Sequence, residues 1–273
     1  MLLVASILVF MAGFQLYVLT DYTDRFFAWT INPPLTAAFL GASYWAAFML
    51  EFMASRERVW ARGRIAVPAV LLFTTLTLIA TLLHFAPPFR LHLDSPDLIT
   101  RGAAIAWIIV YAAVPPVMAF ILWRQLQVPG GDPPRLAPLP DWLRYSVDLI
   151  GAIMLLFGII MFLVPSAGIA VWPWTLTPLT SRAAGAWLLG LGIAAAQLAR
   201  ENDFHRVQPV LASAVAFGLL QFLALARYPS TVAWSSPKAW LYVLFMLSIL
   251  VVGALGLLAS RQVMARTATP RVA

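Results

Sequence analysis

Eight stretches of this chain, each close to twenty residues long and nearly free of charge, constrain it more than any other feature. They run from Leu2 to Leu19, Pro34 to Ala54, Ile65 to Phe85, Gly102 to Trp123, Val147 to Val164, Leu179 to Ala199, Val207 to Ala226 and Ala239 to Ser260. At about 1.5 Å per helical residue, roughly 20 apolar residues cross the ~30 Å hydrocarbon core of a bilayer. Composition agrees, with 62% of the 273 residues hydrophobic, 11% charged and a mean hydropathy of +0.86. Soluble domains run at roughly 45–50% apolar and about 25% charged. The expected fold class is therefore all-α, a polytopic membrane helix bundle of about eight transmembrane helices. The first run has no basic leader and no small-residue cleavage site before Asp21, so it reads as a retained helix rather than a signal peptide.

The net charge of +7 comes from seventeen Arg and one Lys. Twelve of these basic residues (Arg56, Arg58, Arg62, Arg64, Arg124, Arg135, Arg144, Arg200, Arg206, Arg261, Arg266, Arg271) fall after even-numbered runs. Six fall on the other side: Arg25, Arg90, Arg101, Arg182, Arg227 and Lys238. Basic residues stay on the cytoplasmic side of short loops, which puts both termini in the cytoplasm. The expected location is the cell membrane of a bacterium. The basic excess reads as topology, so membrane lipids are the expected partners, with protein partners or a homo-oligomer within the membrane; nucleic acid is not. The chain has no Cys, which removes disulfides, thiolate metal sites, iron–sulfur clusters and c-type haem attachment.

An internal repeat reorganises the reading. The segment Phe27-Ala28-Trp29-Thr30-Ile31-Asn32-Pro33-Pro34-Leu35-Thr36 is echoed by Trp172-Pro173-Trp174-Thr175-Leu176-Thr177-Pro178-Leu179-Thr180, with one extra Pro in the first copy. Gly41 and Gly185 follow the last Thr at the same distance, each succeeded by Ala. Arg64-Ile65 likewise matches Arg206-Val207, and Ala106-Trp107 resembles Ala239-Trp240. The domain reading is a first four-helix repeat over 1–124, a Pro/Gly-rich cytoplasmic linker over 125–141, and a second repeat with a short tail over 142–273. An even number of spans per unit gives the two tandem copies a parallel orientation.

Few residues offer chemistry. Asn32 and Thr177 are N-cap types with Pro33 and Pro178 at the first helical position, and Trp29 and Trp174 suit interfacial anchors. The sharper alternative makes the two helix starts an anion or ligand site with Arg25, Asn32, Thr177 and Arg182. Pro115 and Pro116 fall mid-span in the fourth run and predict a kinked or broken helix, with Tyr111 beside it as a candidate kinked-helix site. Glu51 lies near the end of the second run and Asp148 at the start of the fifth, each within reach of interfacial water or an Arg. Gln15, Gln197 and Gln221 suit interhelical hydrogen bonds. His84, His92, Asp94 and Asp97 have metal-binding side chains, but their spacing matches no metal motif, and a solvated loop is the expectation. Walker-type GK[ST], the dinucleotide Gly fingerprint, HExxH and GxSxG are absent. No catalytic residue, cofactor or metal is expected. Three functions are compatible, in this order: a non-enzymatic accessory, scaffold or lipid/small-ligand-binding subunit; a small-solute or lipid transporter with a site between the repeats; and an enzyme at the outer leaflet using His84, His92 and Asp94.

Overall fold

The computed structural model describes residues 1–85 and 91–268, so Arg90 and Arg271, and the side chain of Arg266, lie outside the described residues. The described chain is helical and holds no strand. Its long helices are α1 (Leu2–Tyr17), α2 (Pro34–Ser55), α3 (Val67–Leu83), α4 (Leu98–Leu126), α5 (Asp141–Leu163), α6 (Pro178–Glu201), α7 (Phe204–Arg227) and α8 (Pro237–Ala268). A turn of helix, Trp60–Gly63, and a 3-10 turn, Arg64–Ala66, extend α3 backwards into an apolar helix of 24 residues. Seven helices are long and apolar enough to cross a membrane. With 16 residues α1 falls short on its own; it bends by 91° into Thr20–Phe26, and only the bent pair makes an eighth.

The helix starts follow local chemistry. The Thr177 hydroxyl accepts from the Thr180 backbone N–H while the Thr180 hydroxyl accepts from that of Thr177, a reciprocal cap with Pro178 in the first helical position. The first copy departs from this: α2 starts at Pro34, one residue later than expected, and Asn32 caps nothing because the extra Pro33 occupies the N-cap position. Asp97 caps α4 through the Ile99 N–H and Asp203 caps α7 through the His205 N–H. Despite Pro115 and Pro116, α4 runs unbroken from Leu98 to Leu126, since in hydrocarbon a break would expose more unpaired backbone than the prolines do.

α2 and α6 form the centre, 72% and 78% buried over their apolar windows, against 22% for α4 and 28% for α8. α1 packs along α2, and α5 along α6; α3 packs on α4, and α7 on α8. Between the halves the pairing crosses over, α2 meeting α7 and α6 meeting α3. Polar side chains of α7 secure one of these seams: Ser213 donates to the Ala46 carbonyl (2.7 Å) and Gln221 to that of Phe39 (3.1 Å). Glycines permit the close approaches, Gly41 and Gly185 among them. A Cβ on Gly41 would lie 2.6 Å from the Tyr17 backbone nitrogen, and one on Gly185 would lie 2.9 Å from the Gly158 carbonyl oxygen and the Phe162 nitrogen. Large apolar side chains cover the outside, among them Ile7, Ile109, Leu149 and Leu241, all more than half exposed, as lipid-facing surface requires.

Trp29 and Trp174 are core residues rather than interfacial anchors, 4% and 5% exposed. Trp29 packs on Phe27 and Trp107, and Trp174 on Trp172 and Tyr242. The Trp174 indole N–H finds its acceptor inside the protein, on the Thr36 hydroxyl at 2.9 Å. That satisfies the polar end that would otherwise seek water or a headgroup.

Candidate functional site

A cavity of about 180 Å³ lies among the helices of the first half, walled by α1 to α4 and by Phe27 and Ala28. Its α1 wall includes Leu8 and Met11, 39% and 54% exposed, so it opens toward the lipid-facing surface. Most of its lining is apolar; the exceptions are Gln15, Tyr44, Glu51, Thr74 and Tyr111, besides the Trp107 indole. The Tyr44 and Tyr111 hydroxyls bond each other at 2.5 Å, and the Trp107 N–H donates to the Thr81 hydroxyl at 3.0 Å. Phe73 stacks on Trp187 and meets Tyr44 and Tyr111 edge-on, so the polar pair is held by rigid rings.

Glu51 is the exception to this mutual satisfaction. It is 2% exposed, and its Oε2 has no hydrogen-bond partner. The expectation of a solvated or Arg-paired Glu51 is thereby corrected: α2 is the central helix of its half and turns this position inward, away from Arg56. A carboxyl group buried in this way needs a proton, a cation or a donor, and ionisable residues within apolar helices of spanning length are functional suspects.

The second half has cavities lined by residues with the same internal spacing. In one of about 440 Å³, Ile153, Met154 and Phe157 stand where the first cavity has Leu8, Val9 and Ala12. Trp172 and Pro173 stand for Phe27 and Ala28, and Leu188 for Tyr44. On the last helices Lys238, Leu241, Tyr242, Phe245 and Met246 stand for Ala103, Ala106, Trp107, Val110 and Tyr111. A smaller space of about 60 Å³ has Ala195, Ala214 and Phe217 where the first cavity has Glu51, Val70 and Phe73. This spacing sets Tyr242, rather than the sequence-matched Trp240, beside Trp107. Tyr242 packs on Trp174 as Trp107 packs on Trp29, whereas Trp240 is 56% exposed and donates to the Trp234 carbonyl.

A second polar cluster gathers where the 125–141 segment meets α3, α6 and α7. Glu201 accepts from Arg64 on Oε1 and from Arg206 on Oε2, both at 2.7 Å, so the two sequence-matched arginines share one carboxylate. Arg64 also reaches Asp132 (2.6 Å), and Arg206 donates to the Pro133 carbonyl. Asp203 Oδ2 accepts the Leu136 N–H, and Asn202 that of Leu139. The Arg64 hydrogen bond holds the Asp132 carboxyl below its usual range. The sequence had offered Arg64 and Arg206 as topology markers and as a repeat match, and had not pointed to Glu201, Asp132 or Asp203; the cluster fastens the connecting segment to both halves.

The residues singled out from the sequence are engaged separately. Arg182 lies 2.7 Å from His84 Nε2, and burial followed by the Arg182 charge lowers the His84 pKa. Thr177 is occupied in its cap, and Arg25 and Asn32 are exposed. His92 meets the Thr30 hydroxyl at 3.3 Å, and Asp97 caps α4. Among the described residues no three His, Cys, Asp or Glu side chains gather as a metal site would need. Of the kinked-helix residues, Tyr111 joins the first cavity; Pro115 is buried and Pro116 exposed in an intact helix. The cavities of about 180 Å³ and 440 Å³ lie within one half each rather than between α4 and α8. No protein-family model, curated protein or solved structure matches this chain.

Proposed function

We propose that this protein is a non-enzymatic, multi-pass membrane protein that takes a small amphiphile carrying an amine or other hydrogen-bond donor from the lipid phase into the Glu51 cavity. The observation that carries this is the partnerless, fully buried Glu51 oxygen in a space open toward lipid. At about 180 Å³ the cavity is smaller than the roughly 300–1,000 Å³ of drug-sized pockets, which suits a headgroup or short chain. The test is thermal unfolding in nanodiscs of neutral lipid with added decylamine or decanol. Wild type should show a saturable rise with decylamine, worth about 2.7 kcal/mol at a hundredfold excess over Kd, and Glu51→Gln should lose it. An equal rise in Glu51→Gln would refute the reading.

The scaffold for this site is two tandem four-helix repeats in parallel orientation, 1–124 and 142–273, crossing a bacterial cell membrane eight times with both termini cytoplasmic. Supporting the repeat are the like-spaced cavity linings, the crossed α2–α7 and α6–α3 pairing, and the same close-approach role of Gly41 and Gly185. Supporting the orientation is the Arg asymmetry. Ser55→Cys should resist an impermeant thiol reagent added outside intact cells, and Ser166→Cys should react; the reverse pattern would invert the topology. A transporter built on the same duplication is the alternative, favoured by the few polar groups, Gln15, Tyr44, Glu51, Thr74 and Tyr111, in the otherwise apolar lining of the first cavity. Uptake of a labelled amine into proteoliposomes that requires Glu51 would select it over simple binding.

A further inference from the structure

The second cavity supports an inference independent of Glu51. It is the larger space, about 440 Å³, and its lining is apolar apart from three residues with polar ends: Tyr242, Trp172 and Lys238. Tyr242 is satisfied, donating to Gln221. Trp172 is not: its side chain is buried, 8% exposed, and Nε1 has no acceptor in the protein. Lys238, at the start of α8, is exposed and reaches the Ala170 carbonyl, so its charge sits on the same end of the cavity as Trp172. The side wall is open, since Phe157, Val171 and Leu241 are 39%, 43% and 66% exposed.

These features match one chemistry. A space lined by Ile153, Met154, Phe157, Phe245 and Met246 accepts an alkyl chain, the orphaned donor calls for a carbonyl or ester oxygen, and a cation at the chain's polar end calls for an anionic head. We propose that this cavity holds one acyl chain of an anionic membrane phospholipid, entering sideways past Leu241, with an ester oxygen on the Trp172 N–H and the phosphate near Lys238. The first cavity offers an acceptor, Glu51, and no Lys at the counterpart position, where Ala103 stands; the two cavities therefore select opposite headgroup charges.

The test is native mass spectrometry of the full chain in detergent, titrated with phosphatidylglycerol or phosphatidylcholine of identical acyl chains, and with inorganic phosphate. Wild type should prefer phosphatidylglycerol by about fivefold, the worth of one lysine near an anionic head. Lys238→Gln should erase the preference while keeping phosphatidylcholine binding. Trp172→Phe, which keeps the ring and removes the donor, should weaken both lipids about threefold to tenfold. Leu241→Trp, on the exposed rim and outside the core, should block both lipids without altering the melting temperature of the lipid-free protein. Glu51→Gln should change none of these, which separates this site from the amine cavity. Equal affinity for the two lipids, a preference that survives Lys238→Gln, or full displacement by phosphate alone would each overturn the proposal.

Discussion

Where the first half sets Tyr44, Glu51 and Tyr111 against its cavity, the second sets Leu188, Ala195 and Met246 at the like-spaced positions. The helix pairings around the two spaces are alike, α1 on α2 and α3 on α4 against α5 on α6 and α7 on α8, so similar packing carries different linings. The polar set differs as a block for a physical reason. Tyr44 and Tyr111 satisfy each other in an apolar surround, and losing one hydroxyl would strand the other at a desolvation cost of about 1–3 kcal/mol. An apolar pair such as Leu188 and Met246 carries no such debt. The two half-cavities are each self-consistent, and a mixture of them is not.

The largest expected effect tests the scaffold. Gly41→Ala and Gly185→Ala should each lower stability by about 1–3 kcal/mol or more, because each Cβ would press on the backbone of a facing helix at 2.6 Å and 2.9 Å. Gly102→Ala is the control: nothing lies within 4 Å of its Cβ, and in α4 it should gain up to about 1 kcal/mol. Thermal unfolding in one detergent reads all three. If one of the paired glycines tolerates Ala and the other does not, the two helix pairs are not equivalent. The next effect tests the lining. Tyr44→Leu and Tyr111→Met should each destabilise by about 1–3 kcal/mol, while the double change, which installs the second half's residues, should cost less than the sum by about 0.5–3 kcal/mol. Additive losses would mean that the hydroxyl pair is not a unit.

How far the sequence announced this can be traced residue by residue. Gly41 and Gly185 were legible only as a repeated pair, since their close approaches depend on the facing helices; the long apolar runs and the Thr177-Pro178 helix start were legible because run length and capping are local properties. The interhelical role of Gln221 was legible for the same reason, since a lone amide in hydrocarbon has few other outlets. The burial of Trp29 and Trp174 was not, because a Trp before a membrane helix reads equally well as an interfacial anchor; Trp107 over Trp29 and the Thr36 hydroxyl on Trp174 decide it, both brought from elsewhere in the chain. Glu51 was misplaced because its distance along the run suggests an interfacial depth, whereas its exposure depends on what surrounds α2, a helix buried over 72% of its apolar window. The orphaned Trp172 N–H and the shared Glu201 depend on contacts between distant segments, on which single-sequence periodicity is silent.

The smallest expected effect concerns Asp132, the partner of one of the two arginines that share Glu201. Arg206 is 4% exposed and Arg64 28%, and only Arg64 carries a close pairing, 2.6 Å, to Asp132, itself 42% exposed. Because the Arg64 hydrogen bond lowers the Asp132 pKa in the folded protein, the pair stabilises the fold above the unfolded Asp value of about 3.9. That contribution is lost as pH falls through the lower, folded value, when the folded protein takes up the proton. A partly exposed pair of this kind is worth about 0.2–1 kcal/mol. Melting temperature should therefore decline on acidification from pH 5 to pH 3 slightly more in wild type than in Asp132→Asn. Arg206→Gln should cost more than Arg64→Gln at neutral pH, because removing the more deeply buried guanidinium leaves one Glu201 oxygen without its donor in a drier place. If Arg64→Gln proves the more damaging, the shared carboxylate leans toward the first half.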